Sequence, residues 1–168
     1  QLDSVMNYPL KDGIVTYVKN GDASALSAVV FDEINNYPKF VRNNLMNILG
    51  THDTVRILTN LAGENLDNSS KEIMARQKLT DTQYQYGVKL LKIAALLQYT
   101  MFGFPCVFYG DEAGAEGYKD PFCRVCYPWN SENNLLIDYY RRLGELRKMP
   151  VFCDGDFWHG YNWTLRGY

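Results

Sequence analysis

The sequence predicts an α/β fold with parallel strands, and three observations carry that prediction. Short apolar runs alternate with longer runs at helical period, the pattern of parallel strands joined by helical crossovers. The inner strand-like runs, residues 45–49 and 106–109, are apolar almost throughout, as in a sheet buried on both faces. Polar pairs stand at the ends of the strand-like runs: Asn7-Tyr8, His52-Asp53 and Asp111-Glu112. In parallel α/β proteins the reactive residues gather at the C-terminal ends of strands.

Each element follows in order. Residues 2–8 alternate as a short strand, which Pro9 ends because it cannot donate to a ladder. Asp12 and Gly13 mark a turn or a helix start. Residues 23–36 read as a helix with Leu26, Val29, Val30 and Ile34 on one face. Pro38 interrupts, and a second helical run covers residues 39–44. Residues 45–49 form a buried strand closed by Gly50. A helical turn over residues 56–61 stops at Gly63, and residues 64–70 are polar loop.

A long helix runs over residues 81–101, opened by Thr80 and Gln83 at capping-box spacing. Tyr86, Leu90, Ile93, Ala94, Leu97 and Met101 make its apolar face. Residues 106–109 are the next strand, with Asp111-Glu112 beyond it. Residues 113–130 form a long loop dense in Gly, Pro and aromatics, a length usually tied to function or disorder. Its Trp, Tyr and Phe content argues against disorder. The last helix covers residues 131–148, with Leu136, Tyr139, Tyr140, Leu143 and Leu146 inward. From Val151 the pattern turns β-like.

Composition narrows the function. The chain has 168 residues and 46% apolar content, enough for one domain with a real core. Its net charge is −2 with both signs dispersed, so there is no basic stripe for nucleic acid. No stretch approaches the ~20 apolar residues that span a bilayer. No signal peptide heads the chain, which favours a cytoplasmic over a secreted setting; because the chain opens on Gln1 rather than Met, that inference is slight.

Four cysteines occur: Cys106, Cys123, Cys126 and Cys153. Cys123-x-x-Cys126 has the spacing of a redox or zinc motif. A structural zinc site needs a second ligand pair, and no other C-x-x-C exists. A thioredoxin-type motif opens a helix, whereas this one sits in a loop. Free thiols are the favoured reading, with a Cys123–Cys126 or Cys126–Cys153 disulfide left open.

The polar pairs admit two readings each. Asp53 either belongs to a site or caps the following helix. His52 is either a site residue or a hydrogen-bonded core histidine. Asp111-Glu112 reads as a cap or as the partner of a nearby Lys or Arg.

Four segments together carry a family resemblance: residues 3–9 (Asp-Ser-Val-Met-Asn-Tyr-Pro), 49–56 (Leu-Gly-Thr-His-Asp-Thr-Val-Arg), 103–112 (Gly-Phe-Pro-Cys-Val-Phe-Tyr-Gly-Asp-Glu) and 119–124 (Lys-Asp-Pro-Phe-Cys-Arg). In order and spacing they resemble the sixth to eighth strands and loops of the catalytic barrel of glycoside hydrolase family thirteen, the α-amylase family. The opening and the Asp-Pro-x-x-Arg loop look most like its neopullulanase and cyclomaltodextrinase branch. One loop departs from the family pattern, reading Cys123-Arg124-Val125-Cys126-Tyr127-Pro128-Trp129, which puts selectivity for neighbouring sugars in doubt.

The resemblance implies an incomplete (β/α)8 barrel over residues 1–150, about the last three β/α units, and the first strands of an all-β domain over residues 151–168. It implies retaining hydrolysis of α-1,4-glucosidic bonds in starch-derived glucans, cyclodextrins or pullulan, with no cofactor and no metal site in this stretch. Asp53 matches the family's third catalytic carboxylate, and His52 the histidine bonded to the same sugar. Asp120 and Arg124 match residues that hold sugars further along. The nucleophilic Asp and acid/base Glu belong to earlier strands of the family barrel, so these 168 residues alone are expected to be inactive and to self-associate through unpaired sheet edges. The rival is a non-catalytic carbohydrate-binding or interaction module that uses residues 118–129 as a sugar platform.

Overall fold

The computed structural model describes residues 4–153 and 155–157. Two short parallel strands, β1 (Met46–Ile48) and β2 (Phe104–Cys106), pair in register, with Met46 opposite Phe104 and Ile48 opposite Cys106. On its other side Met46 forms a parallel bridge with Met6. The spatial order is therefore Met6, β1, β2, which is also chain order, and helices fill the connections, as parallel pairing demands.

Between Met6 and β1 lie α1 (Tyr8–Asn20), α2 (Ala23–Asn36) and α3 (Lys39–Arg42). Helix α1 is a correction to the sequence reading, in which Pro9 only ended a strand. Proline is tolerated in the first helical turn, where its missing N–H has no intrahelical partner to lose. Asn7 caps the helix by accepting from the Leu10 N–H at 3.1 Å. Gly13 lets α1 and α2 approach, since a Cβ there would stand 3.3 Å from the Leu26 Cα. Helix α2 has the predicted bounds, and Leu26 and Val30 on its predicted face are buried.

Between β1 and β2 lie α4 (Ile57–Ala62), α5 (Lys71–Arg76) and α6 (Asp81–Thr100). The short α5, capped by Ser70, has too few apolar residues to show a periodicity. The predicted capping box of Thr80 and Gln83 is present at the start of α6. The predicted apolar face of α6 holds in part: Leu90 and Ala94 are buried and Leu97 and Met101 pack against the core, but Tyr86 and Ile93 are exposed, and Gly87, Val88, Leu91, Ala95 and Gln98 are buried as well. The helix packs on α1, α4 and α7 (Asn134–Arg147), so several sides are covered, and part of the covered surface is glycine or polar. Gln98 shows why a polar residue belongs there. Its amide nitrogen donates to the carbonyls of Asn47 (2.9 Å) and Cys106 (3.0 Å), tying α6 to both strands.

Strand β2 begins two residues earlier than predicted and contains Pro105. Pro105 is opposite Asn47, while the Phe104 N–H next to it donates to Leu45. β2 is the outer strand among the described residues, and an edge position tolerates the missing donor. Helix α7 buries Leu136, Tyr140 and Leu143.

A helical turn, α8 (Pro150–Cys153), replaces the β-like pattern expected from Val151. Pro150 at the first helical position presets the backbone, and this outweighs the β preference of Val151 and Phe152. The rest of the expected β-domain, residues 158–168, lies outside the described residues.

The core gathers Leu10 and Ile14 of α1, Val30 of α2, Ile57 and Leu58 of α4, Leu91 and Ala94 of α6 and Leu136 of α7. Leu91→Ala, at a side chain with no exposed surface, is expected to lower unfolding free energy by about 2–5 kcal/mol in urea denaturation.

Candidate active site

The chain leaves β1 through Leu49 and Gly50 into a tight turn. The Thr51 N–H donates to the Thr54 hydroxyl at 2.9 Å, and the Asp53 N–H donates to the Thr51 hydroxyl at 3.2 Å. Thr51 is buried by this bonding, and the turn displays His52 and Asp53 to solvent. Neither local alternative for these two residues holds. His52 is not in the core, and the N-cap of α4 is Arg56, with no side-chain cap bond from Asp53.

Arg56 is the main feature behind this turn. It has no exposed surface. Its Nε donates to the Cys123 carbonyl at 2.7 Å. Its Nη1 donates to the Tyr109 carbonyl and to the Asp111 carboxylate, the latter at 3.1 Å. The rings of Phe108 and Tyr109 lie 4.2 and 4.5 Å from its guanidinium carbon. Its main-chain N–H donates to Gly117 at 2.9 Å. Gly50 leaves room for this arrangement, since a Cβ there would come within 2.8 Å of the Asp111 Oδ2. One guanidinium thus joins the segment after β1 to the segment after β2.

That second segment carries Asp120 and Arg124. Asp120 precedes a cis peptide bond to Pro121. The Arg124 Nε bonds the Asp120 carboxylate, and its Nη2 lies 3.7 Å from Asp53 Oδ1. On the other oxygen of Asp53, His52 Nε2 stands at 3.1 Å. The four sequence-nominated residues therefore form one row: His52, Asp53, Arg124, Asp120. All four are about half exposed or more. The Asp120 carboxylate raises Arg124 above its usual range, so the guanidinium stays charged.

The other polar pairs serve the scaffold. Asn7 is buried, its amide 3.3 Å from the Asn47 side chain, and Tyr8 begins α1. Asp111 is the buried partner of Arg56, as one reading of Asp111-Glu112 expected. Burial pushes its carboxyl up to about 7, against the opposing charge of Arg56. All four cysteines are free thiols, and Cys123 is fully buried. Its Sγ lies 3.1 Å from the His52 carbonyl. Sequence reasoning missed Arg56 and Cys123. An arginine directly before the apolar Ile57-Leu58 was the available signal for the first; the second is a contact between distant segments with no local signature. Among the described residues, no group of three or more His, Cys, Asp or Glu side chains could hold a metal ion. No helix there is long and apolar enough to cross a membrane.

Residues 1–137 match the family model for the α-amylase catalytic domain. The chain belongs to the α-amylase family. A cyclomaltodextrinase of Geobacillus thermopakistaniensis (strain MAS1) is 35% identical over 152 residues, covering 88% of this chain and 22% of that protein. A maltogenic α-amylase of Bacillus acidopullulyticus is 36% identical over 151 residues, again 88% of this chain and 22% of the relative. Among solved structures, the cyclic α-maltosyl-(1→6)-maltose hydrolase of Arthrobacter globiformis superposes with a TM-score of 0.74 at 31% identity, covering 93% of this chain and 31% of that one. This α-amylase-family chain thus spans about a fifth of the length of these two curated relatives.

The raised Asp111 carboxyl has a measurable consequence. Its folded pKa lies above its ordinary value of 3.8, so the stability linked to this group is fully present below about pH 4 and declines as pH rises through about 7. Urea midpoints between pH 4 and 8 are expected to carry this slope in the native chain and to lose it in Asp111→Asn.

Proposed function

We propose that this chain supplies the sugar-gripping side of the active cleft of a retaining α-1,4-glucan hydrolase. The row His52–Asp53–Arg124–Asp120 carries the reading, because it sets four groups of the expected chemistry side by side on the loops that follow two parallel strands. Asp53 is the catalytic carboxylate in this proposal. It binds hydroxyls of the sugar at the cleavage point and favours the oxocarbenium-like transition state. His52 bonds the same sugar, since a neutral imidazole both donates and accepts. Arg124, oriented by Asp120, offers a rigid fork of donors to vicinal hydroxyls of the next sugar.

Met6, β1 and β2 are then three consecutive strands of a (β/α)8 barrel, a fold that takes ~250 residues. The substrates are starch-derived glucans, cyclodextrins or pullulan. Two of the relatives named above are a cyclomaltodextrinase and a hydrolase of a cyclic maltosyl-maltose, which supports α-glucan rings and chains as the class. The nucleophile and acid/base of such a reaction, two carboxyls ~5–5.5 Å apart, belong to earlier strands of the barrel.

Titration of the isotopically labelled chain with maltotriose is expected to perturb His52, Asp53 and Arg124, and Asp53→Ala is expected to weaken binding roughly tenfold or more. Perturbation confined to Tyr127 and the exposed Trp129, whose rings lie 4.6 Å apart, would favour the platform reading instead. The 168 residues alone are expected to release no reducing sugar from maltoheptaose or β-cyclodextrin; measurable cleavage would overturn the assignment of Asp53 to a supporting rather than nucleophilic carboxylate.

Among the described residues the outer edges are unpaired, and they carry exposed Val5, Met6 and Phe104. Such edges template pairing with another chain. Light scattering is expected to show mass rising with concentration; a monodisperse monomer at all concentrations would contradict it.

A further inference from the structure

The Cys123-x-x-Cys126 spacing has no role in the proposed chemistry, and both thiols are free. The two differ in placement. Cys126 is exposed, whereas Cys123 is fully buried between the two loops of the site.

Residues 123 and 124 touch the His52–Asp53 turn and its support at three points. The Cys123 carbonyl accepts from Arg56 Nε at 2.7 Å. The Cys123 Sγ lies 3.1 Å from the His52 carbonyl oxygen. The Arg124 guanidinium reaches Asp53 at 3.7 Å. The middle contact matters most, because of where the His52 carbonyl sits. It shares one peptide plane with the Asp53 N–H, and a peptide plane is rigid. The N–H end is held by the Thr51 hydroxyl at 3.2 Å, and the C=O end faces the Cys123 thiol. With both ends held, rotation of the plane is blocked. The two Cα atoms it joins, from which the His52 and Asp53 side chains start, are thereby held in place.

We propose that Cys123 is a positioning residue, whose thiol donates to the His52 carbonyl and locks the peptide plane that aims His52 and Asp53 at substrate. Its relevance to catalysis rests on the sugar-binding reading above; the lock itself does not. Burial raises the thiol's pKa, which keeps the S–H present as a donor. The neighbouring Arg56 holds the Cys123 backbone, so the donor is anchored to the buried scaffold. Productive geometry tolerates errors of only about 0.5 Å, and a single unlatched peptide plane exceeds that easily.

The test compares Cys123→Ala, which removes the donor, with Cys123→Ser, which keeps one, and with Cys126→Ser as a control. Hydrogen exchange of the Asp53 amide and maltotriose affinity are read together, with urea midpoints to account for global stability. Cys123→Ala is expected to speed Asp53 exchange and weaken maltotriose binding, each roughly three- to tenfold. Cys123→Ser restores most of both, and Cys126→Ser changes neither. Cys123→Val, also without a donor, takes the place of alanine if that variant does not fold. Unchanged exchange in the donorless variant would overturn the proposal. So would equal impairment in the serine variant, since packing and not donation would then be responsible. If the native chain binds no maltotriose, the sugar-binding reading fails, and the exchange comparison alone still decides whether the lock exists.

Discussion

The buried guanidinium of Arg56 is the constraint around which the rest of the molecule is arranged. A cation with no exposed surface is costly unless its protons are bonded and its charge is opposed. Here the main-chain oxygens of Cys123 and Tyr109 and the carboxylate of Asp111 bond Nε and Nη1, and two aromatic ring faces cover the guanidinium, while the buried Nη2 has no hydrogen-bond partner. Those partners all come from the segment after β2, whereas Arg56 comes from the segment after β1. Satisfying one side chain therefore fixes the relative position of two loops that are far apart in sequence. The loops need not be rigid on their own account, and residues 113–130 hold their course without a helix or strand.

The sheet and helices give this arrangement a floor. Parallel pairing brings the ends of β1 and β2 level, and Gln98 of α6 bonds a carbonyl of each strand. The apolar packing of α1, α4, α6 and α7 lies below. The order of construction is then clear: helices hold strands, strands level the loop origins, Arg56 joins the loops, and the joined loops bring His52, Asp53, Arg124 and Asp120 into a row.

Much of this was legible in the sequence where local physics decides. Helix α2 has an unbroken apolar stripe, and α6 opens with a capping box; both were visible. The four site residues were nominated through segments that resemble a family, and their grouping depends on loops whose meeting no local pattern describes. The failures also have physical causes. Pro9 was read only as the end of a strand, yet it sits in the first turn of α1, where a missing N–H costs nothing. The face of α6 was only partly legible because Gly87 and Gln98, both buried, do not count as apolar in a periodicity. Arg56 was invisible as an organising residue because its partners are mostly main-chain oxygens, which any sequence supplies.

The ion pairs along the exposed row have a further consequence. Each charged group in it already has a protein partner before any ligand arrives. An incoming hydroxyl would bond groups that already face solvent and a protein partner, so each correct contact would exchange a hydrogen bond to water for one to the ligand and add little net free energy. A ligand that displaces a partner without replacing its bond leaves a charge unmatched, and that loss is larger than the gain from a correct contact. If the row binds sugar as proposed, it would reject poorly fitting molecules more strongly than it attracts good ones. Tight retention of a ligand would then have to come from apolar surface and not from the row itself.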